Sequence, residues 1–263
     1  MNYLEEYKIE INGLKYKYYD TLIGEKTIII IHGLASNKDP MTKFFAEYLD
    51  KFRCIFIDLP AHNSIPSYEF KKLDDFSEYI LKFLEYLKIE EFALIGFSFG
   101  GLVAINTSKC LADENKIVKT VAWASPLEKS FLTFKSKQFL KLFDAIQNKH
   151  YKKLPKSNWF QLMTAIFGIK VKDRELESFT NFDNSRLDVF HKMMPDKQIN
   201  TSDLNILYIF GTKDPLINNK AFESTIVNNK NQKKFLVENG GHYLNQKGRK
   251  ESLKLIHDFI YDF

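Results

Sequence analysis

Cysteine is scarce in this sequence: Cys54 and Cys110 are the only two among 263 residues. That excludes a small scaffold held by disulfides, and neither cysteine sits in a C-x-x-C or similar metal-ligand spacing. Long apolar runs are missing too. The longest unbroken ones, such as Ile28–Ile31, have the length of a strand, far short of the roughly 20 residues that cross a bilayer. The first residues, Met1-Asn2-Tyr3-Leu4-Glu5-Glu6, are acidic and lack the apolar stretch of a signal peptide. Charge of one sign is not concentrated either: 38 Lys+Arg against 33 Asp+Glu leave a formal +5, with the signs interspersed. Nucleic-acid binding, which needs a basic stripe, is therefore disfavoured. These absences predict a soluble, cytoplasmic chain with no integral membrane contact. What is present is a globular balance, 44% hydrophobic and 27% charged, enough to bury a core without cross-links. Aromatic content is high at 15%, with 24 phenylalanines.

Two short strands are predicted from Tyr7 to Tyr19 around Asn12-Gly13, a dipeptide that tolerates the positive φ angles of a tight hairpin. Thr27–Ile31 is almost wholly apolar, the pattern of a strand covered on both faces in a parallel sheet. Similar runs recur at Cys54–Ile57, Phe92–Ile95, Ile117–Ala124, Ile206–Phe210 and Phe235–Val237. Helical spacing lies between them. Asp39-Pro40 offers a cap and a first-turn proline ahead of Phe44, Phe45, Tyr48, Leu49 and Phe52. Asp74 or Asp75 can cap the stripe Phe76, Tyr79, Ile80, Phe83, Leu84 and Leu87. Further patterns run over Gly100–Leu111 and through Leu253, Ile256, Phe259, Ile260 and Phe263. Such alternation predicts an α/β fold with a mostly parallel, doubly wound sheet. Residues 127–200 break the rhythm, with helix-like patterns and no buried strand. Their 14 Lys/Arg against 8 Asp/Glu make this segment +6, and it also carries Met163, Met193 and Met194. It reads as a helical insertion, leaving 1–126 and 201–263 as the core.

The chemistry is concentrated at Gly96-Phe97-Ser98-Phe99-Gly100, a G-x-S-x-G match with an apolar strand before it and a helical pattern after it. A sharp strand-to-helix turn there would lift the Ser98 hydroxyl clear of the sheet, and the flanking glycines leave room for neighbouring backbone. Asp214-Pro215 follows the strand Ile206–Phe210, and Gly240-Gly241-His242 follows Phe235–Val237. In this context and order the chain resembles the α/β-hydrolase superfamily over nearly its whole length. The resemblance implies Ser98 as nucleophile, His242 as its base and Asp214 as the acid that orients the imidazole. It implies an oxyanion hole from the backbone N–H groups of Leu34, after His32-Gly33, and Phe99. Asp58-Leu59-Pro60-Ala61-His62 is similar to the family's D-x-P-G-H turn, with Ala61 where the pattern has glycine; the departure is expected to alter the loop and not the chemistry. The resemblance also implies a cap at 127–200.

Plain structural readings stand beside these. Ser98 is also a normal turn residue, Asp214 before Pro215 a favoured turn acid, and His242 a residue that any Gly-Gly loop can carry. His32 and His62 read as hydrogen-bonding supports of their loops, and His150, His191 and His257 as surface or packing residues. The aromatic and methionine residues of 127–200 read mostly as core, with a remainder free to line an apolar acyl pocket. The implied function is hydrolysis of carboxylic esters of small to medium apolar acyl substrates through an acyl-enzyme. It requires no metal or organic cofactor, and its partner is a small-molecule ester. The superfamily also holds thioesterases, iminopeptidase-like amidases, C–C bond hydrolases and non-catalytic ligand-binding members. Acyl chain length and oligomeric state are not legible.

Overall fold

The computed structural model describes residues 4–48, 51–68, 70–138, 193–197, 199–226, 228–242 and 246–261. Eight strands form one sheet in these residues: β1 (Glu6–Ile11), β2 (Leu14–Asp20), β3 (Thr27–Ile31), β4 (Arg53–Ile57), β5 (Phe92–Phe97), β6 (Lys119–Trp123), β7 (Asn205–Gly211) and β8 (Gln232–Val237). Their spatial order is β1-β2-β4-β3-β5-β6-β7-β8. The β1–β2 hairpin turns through Asn12 (φ 51°) and Gly13 (φ 79°) and joins β4 antiparallel. From β4 to β8 every pairing is parallel.

The sheet is covered on both faces, which explains the continuous apolar runs. Ile29 and Ile31 of β3, Ile55 and Ile57 of β4 and Leu94 of β5 pack with α2 (Leu73–Tyr86) and α3 (Phe99–Asp113). Ile28, Ile30, Phe56, Ile95, Trp123 and Ile209 face the other way. There α1 (Lys38–Phe44) contributes Met41, and α5 (Gln246–Tyr261) contributes Leu253, Ile256, Phe259 and Ile260. A third cluster gathers Tyr208 and Phe210 of β7 with Phe222 of α4 (Asn219–Thr225), Phe131 and Ile217.

Three local expectations are corrected. The first helix is capped by Asn37, whose side chain accepts the Asp39 N–H, and not by Asp39. It also ends at Phe44; a 3-10 turn at Ala46–Tyr48 then keeps Tyr48 in the core with Phe45 and Phe52. Neither Asp74 nor Asp75 is the cap of α2. Lys72 holds that position, and Asp75 works from within the first turn, its Oδ2 accepting the N–H groups of Lys71 (2.6 Å) and Lys72 (3.0 Å). Of the insertion expected at 127–200, residues 139–192 and 198 lie outside the described residues. The described parts pack on the core: Leu132 bridges to Ile217, and the Thr133 N–H donates to the Leu216 carbonyl. No helix among the described residues is long and apolar enough to cross a membrane.

Candidate active site

The parallel strands point their C-terminal ends to one edge of the sheet, and the residues singled out above follow those ends. Strand β5 runs straight into Ser98, which sits at φ 53°, ψ −120°, and α3 starts at the next residue. A backbone region this sparsely populated costs about 1–3 kcal/mol and persists only where the surroundings enforce it. Here the Ser98 N–H donates to the Trp123 carbonyl (2.7 Å), and the Ser98 carbonyl accepts from Gly101 N (3.0 Å). Ser125 Oγ, wholly buried, donates to the same carbonyl at 2.8 Å. A Cβ on Gly96 would collide with the Gly100 carbonyl, and one on Gly100 with the carbonyls of Ile31 and His32. The elbow is thereby pressed against the end of β3.

The loop that leaves β3 passes alongside. A Cβ on Gly33 would stand 3.2 Å from Cβ of Ser98. Leu34 and Phe99 are the chain neighbours of Gly33 and Ser98. Two buried histidines fasten this loop to the turn after β4. His32 Nδ1 donates to the Gly33 carbonyl (2.8 Å) and its Nε2 accepts the Leu59 N–H (3.0 Å). His62 Nδ1 donates to the Pro60 carbonyl (2.9 Å) and its Nε2 accepts the Ala35 N–H (3.0 Å). Burial holds both rings neutral: the pKa of His32 is pushed down to about 4, with the Lys38 cation adding to the effect, and that of His62 to about 3, with His32 beside it. Each ring thus uses one nitrogen as donor and the other as acceptor, a supporting role. Ala61, in the glycine position of the turn, adopts φ 67°, a backbone that glycine favours.

Asp214 and His242 come together at the ends of β7 and β8. Asp214 Oδ2 accepts from His242 Nδ1 at 2.8 Å. Its Oδ1 accepts the N–H groups of Leu216 (2.8 Å) and Ile217 (3.2 Å), and its side chain is fully buried. A carboxylate so surrounded is held in one orientation as an acceptor. The two loops are stitched by the bonds Lys213 N to the Gly240 carbonyl (2.7 Å) and Asn239 N to Thr212 Oγ1 (2.8 Å). The imidazole lies 5.1 Å from the ring of Phe97, the residue before Ser98.

Two supports are not legible from sequence. Ser125 is one. Lys38 is the other: its side chain is fully buried, with Nζ 2.8 Å from Asp58 Oδ2 and 2.6 Å from Glu6 Oε1. No signal in the sequence marks it, because Ser36-Asn37-Lys38-Asp39 reads as a solvated loop. Among the described residues, no group of three or more His, Cys, Asp and Glu side chains is arranged to hold a metal.

A strained serine between β5 and a helix, an acid after β7 and a histidine after β8 are carried here by an eight-stranded, mostly parallel sheet. A family model for the alpha/beta hydrolase fold matches residues 26–153. The chain has the α/β-hydrolase fold. In sequence, 79 residues are 34% identical to a protein of Haemophilus influenzae named as a 2-succinyl-6-hydroxy-2,4-cyclohexadiene-1-carboxylate synthase; the match covers 30% of this chain and 32% of that protein. In structure it is similar to an N-acyl homoserine lactonase (TM-score 0.78, 15% identity, 99% of this chain and 97% of that one). It is also similar to an esterase from Exiguobacterium antarcticum (TM-score 0.74, 15% identity, 95% and 97%).

Proposed function

We propose that this hydrolase cleaves carboxylic esters of small to medium apolar acyl groups through an acyl-enzyme on Ser98. The observation that carries the reading is the Asp214–His242 hydrogen bond of 2.8 Å, with the imidazole 5.1 Å from the ring of Phe97, whose chain neighbour Ser98 is held at φ 53°. His242 Nδ1–H bonded to Asp214 leaves Nε2 as the basic nitrogen, the tautomer a general base needs. His242 removes the Ser98 proton as the hydroxyl attacks the ester carbonyl, then returns it to the departing alcohol. Water activated by the same imidazole hydrolyses the acyl-enzyme. The N–H groups of Leu34 and Phe99 donate to the oxyanion, each such donor contributing roughly 2.7–4 kcal/mol to the transition state. The cycle needs neither metal nor organic cofactor. The chain works in the cytoplasm.

The test is hydrolysis of p-nitrophenyl esters from acetate to palmitate, with Ser98→Ala as control. The expected result is turnover that peaks at short to medium chains and falls by about 10⁴-fold or more in the variant. Folded wild-type protein without ester turnover would overturn the esterase reading. Thioesters, aminoacyl amides and diketones would then be tried in turn, and a chain inert to all of them would be a ligand-binding member.

A further inference from the structure

In the D-x-P-A-H turn the histidine holds the loop after β3, and the aspartate does more. Asp58 is completely buried, and the hydrogen bonds of its carboxylate lead to the segment that follows the proposed oxyanion loop and to its own turn. Oδ1 accepts the backbone N–H of Lys38 at 2.8 Å. Oδ2 accepts from Lys38 Nζ at 2.8 Å and from Asn63 Nδ2 at 2.7 Å. Lys38 Nζ also reaches Glu6 Oε1 on β1 at 2.6 Å and lies 4.6 Å from the ring centre of Tyr19 on β2. Burial opposes the charge on this amine, but the carboxylates of Asp58 and Glu6 outweigh it and hold its pKa above the ordinary lysine value.

A buried cation of this kind is a weak source of stability, because desolvation consumes most of the Coulomb gain. Its geometry is another matter. The loop of residues 33–37 is held at one end by His32, in its middle by His62 on the Ala35 N–H, and at its far end by Lys38. Ala35 has φ 55°, so the loop is strained and needs fixing at both ends. We propose that Lys38 is a positioning residue: clamped between Asp58 and Glu6, it fixes the far end of the oxyanion loop so that the Leu34 N–H stays aimed at the reacting carbonyl beside Ser98. This inference rests on the serine-hydrolase reading.

The experiment compares wild type with K38M, K38M/D58N and E6Q on p-nitrophenyl butyrate, recording kcat, KM and Tm, and the rate at which a fluorophosphonate labels Ser98. K38M leaves Asp58 buried without its cation, and its Tm falls. The double variant removes both charges, while the amide put in at position 58 keeps an oxygen for the backbone N–H of position 38, so its Tm recovers towards wild type. If the clamp aims the loop, kcat of the double variant stays roughly 10- to 100-fold down, with KM within about twofold and labelling slowed in parallel, because the misplaced donor serves only the transition state. Recovery of kcat together with Tm would reduce Lys38 to a stabilising role and overturn the proposal. E6Q decides the matter if the double variant does not fold. Its site is partly exposed, so it folds, and the clamp requires a drop of about two- to fivefold in kcat at unchanged KM; wild-type kcat overturns the clamp. Wild-type protein inert to both ester and probe is a different result, since it removes the serine-hydrolase reading itself and this inference with it.

Discussion

His62 shows how one side chain ties stability to pH. Folded, it is neutral, with a pKa of about 3, and His32 next to it has a pKa of about 4. In the unfolded chain both titrate near the ordinary histidine value, about 6.5. Between pH 6.5 and about 4, the unfolded state therefore binds protons that the folded state refuses, and stability falls as pH falls. The slope approaches about 1.4 kcal/mol per pH unit for each ring. Below about 3 the folded rings protonate as well and the slope vanishes. Urea unfolding at pH 7, 6, 5 and 4 measures this. His62→Gln, which offers a donor and an acceptor but no titration, should remove about one proton from the slope over that window. An unchanged slope in the variant would mean that His62 is not the neutral support described here.

At the scale of elements, the serine turn depends on how closely α3 approaches β3. Gly100 allows that approach, since any Cβ there meets the Ile31 and His32 carbonyls. Gly100→Ala should push the start of α3 away from the strand, costing roughly 1–3 kcal/mol or more in thermal unfolding. Ester turnover should fall further than the loss of stability explains, and a variant with wild-type turnover would refute that account. Packing also decides which elements are legible in the sequence. β3 is legible to the residue because Ile28–Ile31 is buried on both faces. The start of β8 is not, because Gln232-Lys233-Lys234 lies at the edge of the sheet, where one flank has no partner strand among the described residues. The first helix reads too long because Phe45, Tyr48 and Phe52 keep a helical stripe that a 3-10 turn serves equally well. Ser98, Asp214 and His242 are marked by local turn chemistry and order along the chain. Lys38 escapes because only the tertiary approach of Glu6 and Asp58, 32 and 20 residues away, takes it out of water.

For the whole molecule the decisive element is the last. α5 closes one face of the sheet with Leu253, Ile256, Phe259 and Ile260, each nearly fully buried. At about 1.5–3 kcal/mol per side chain, this burial is comparable to the roughly 5–15 kcal/mol that holds a protein folded. A chain ended after His242 should therefore show no cooperative thermal transition and should bind a hydrophobic dye; a sharp melt would refute that weight on α5. From β3 outward, each of β5, β6, β7 and β8 pairs with the described strand before it in space, and in the order of the chain. Once the β1–β2 edge and the middle strands β3 and β4 are made, a ribosome thus adds the rest of the sheet strand by strand towards the β8 edge. On the proposed reading, the serine and its oxyanion loop are complete long before Asp214 and His242 emerge. The nascent chain carries a nucleophile without a base and stays chemically silent among the cell's esters until His242 has been made.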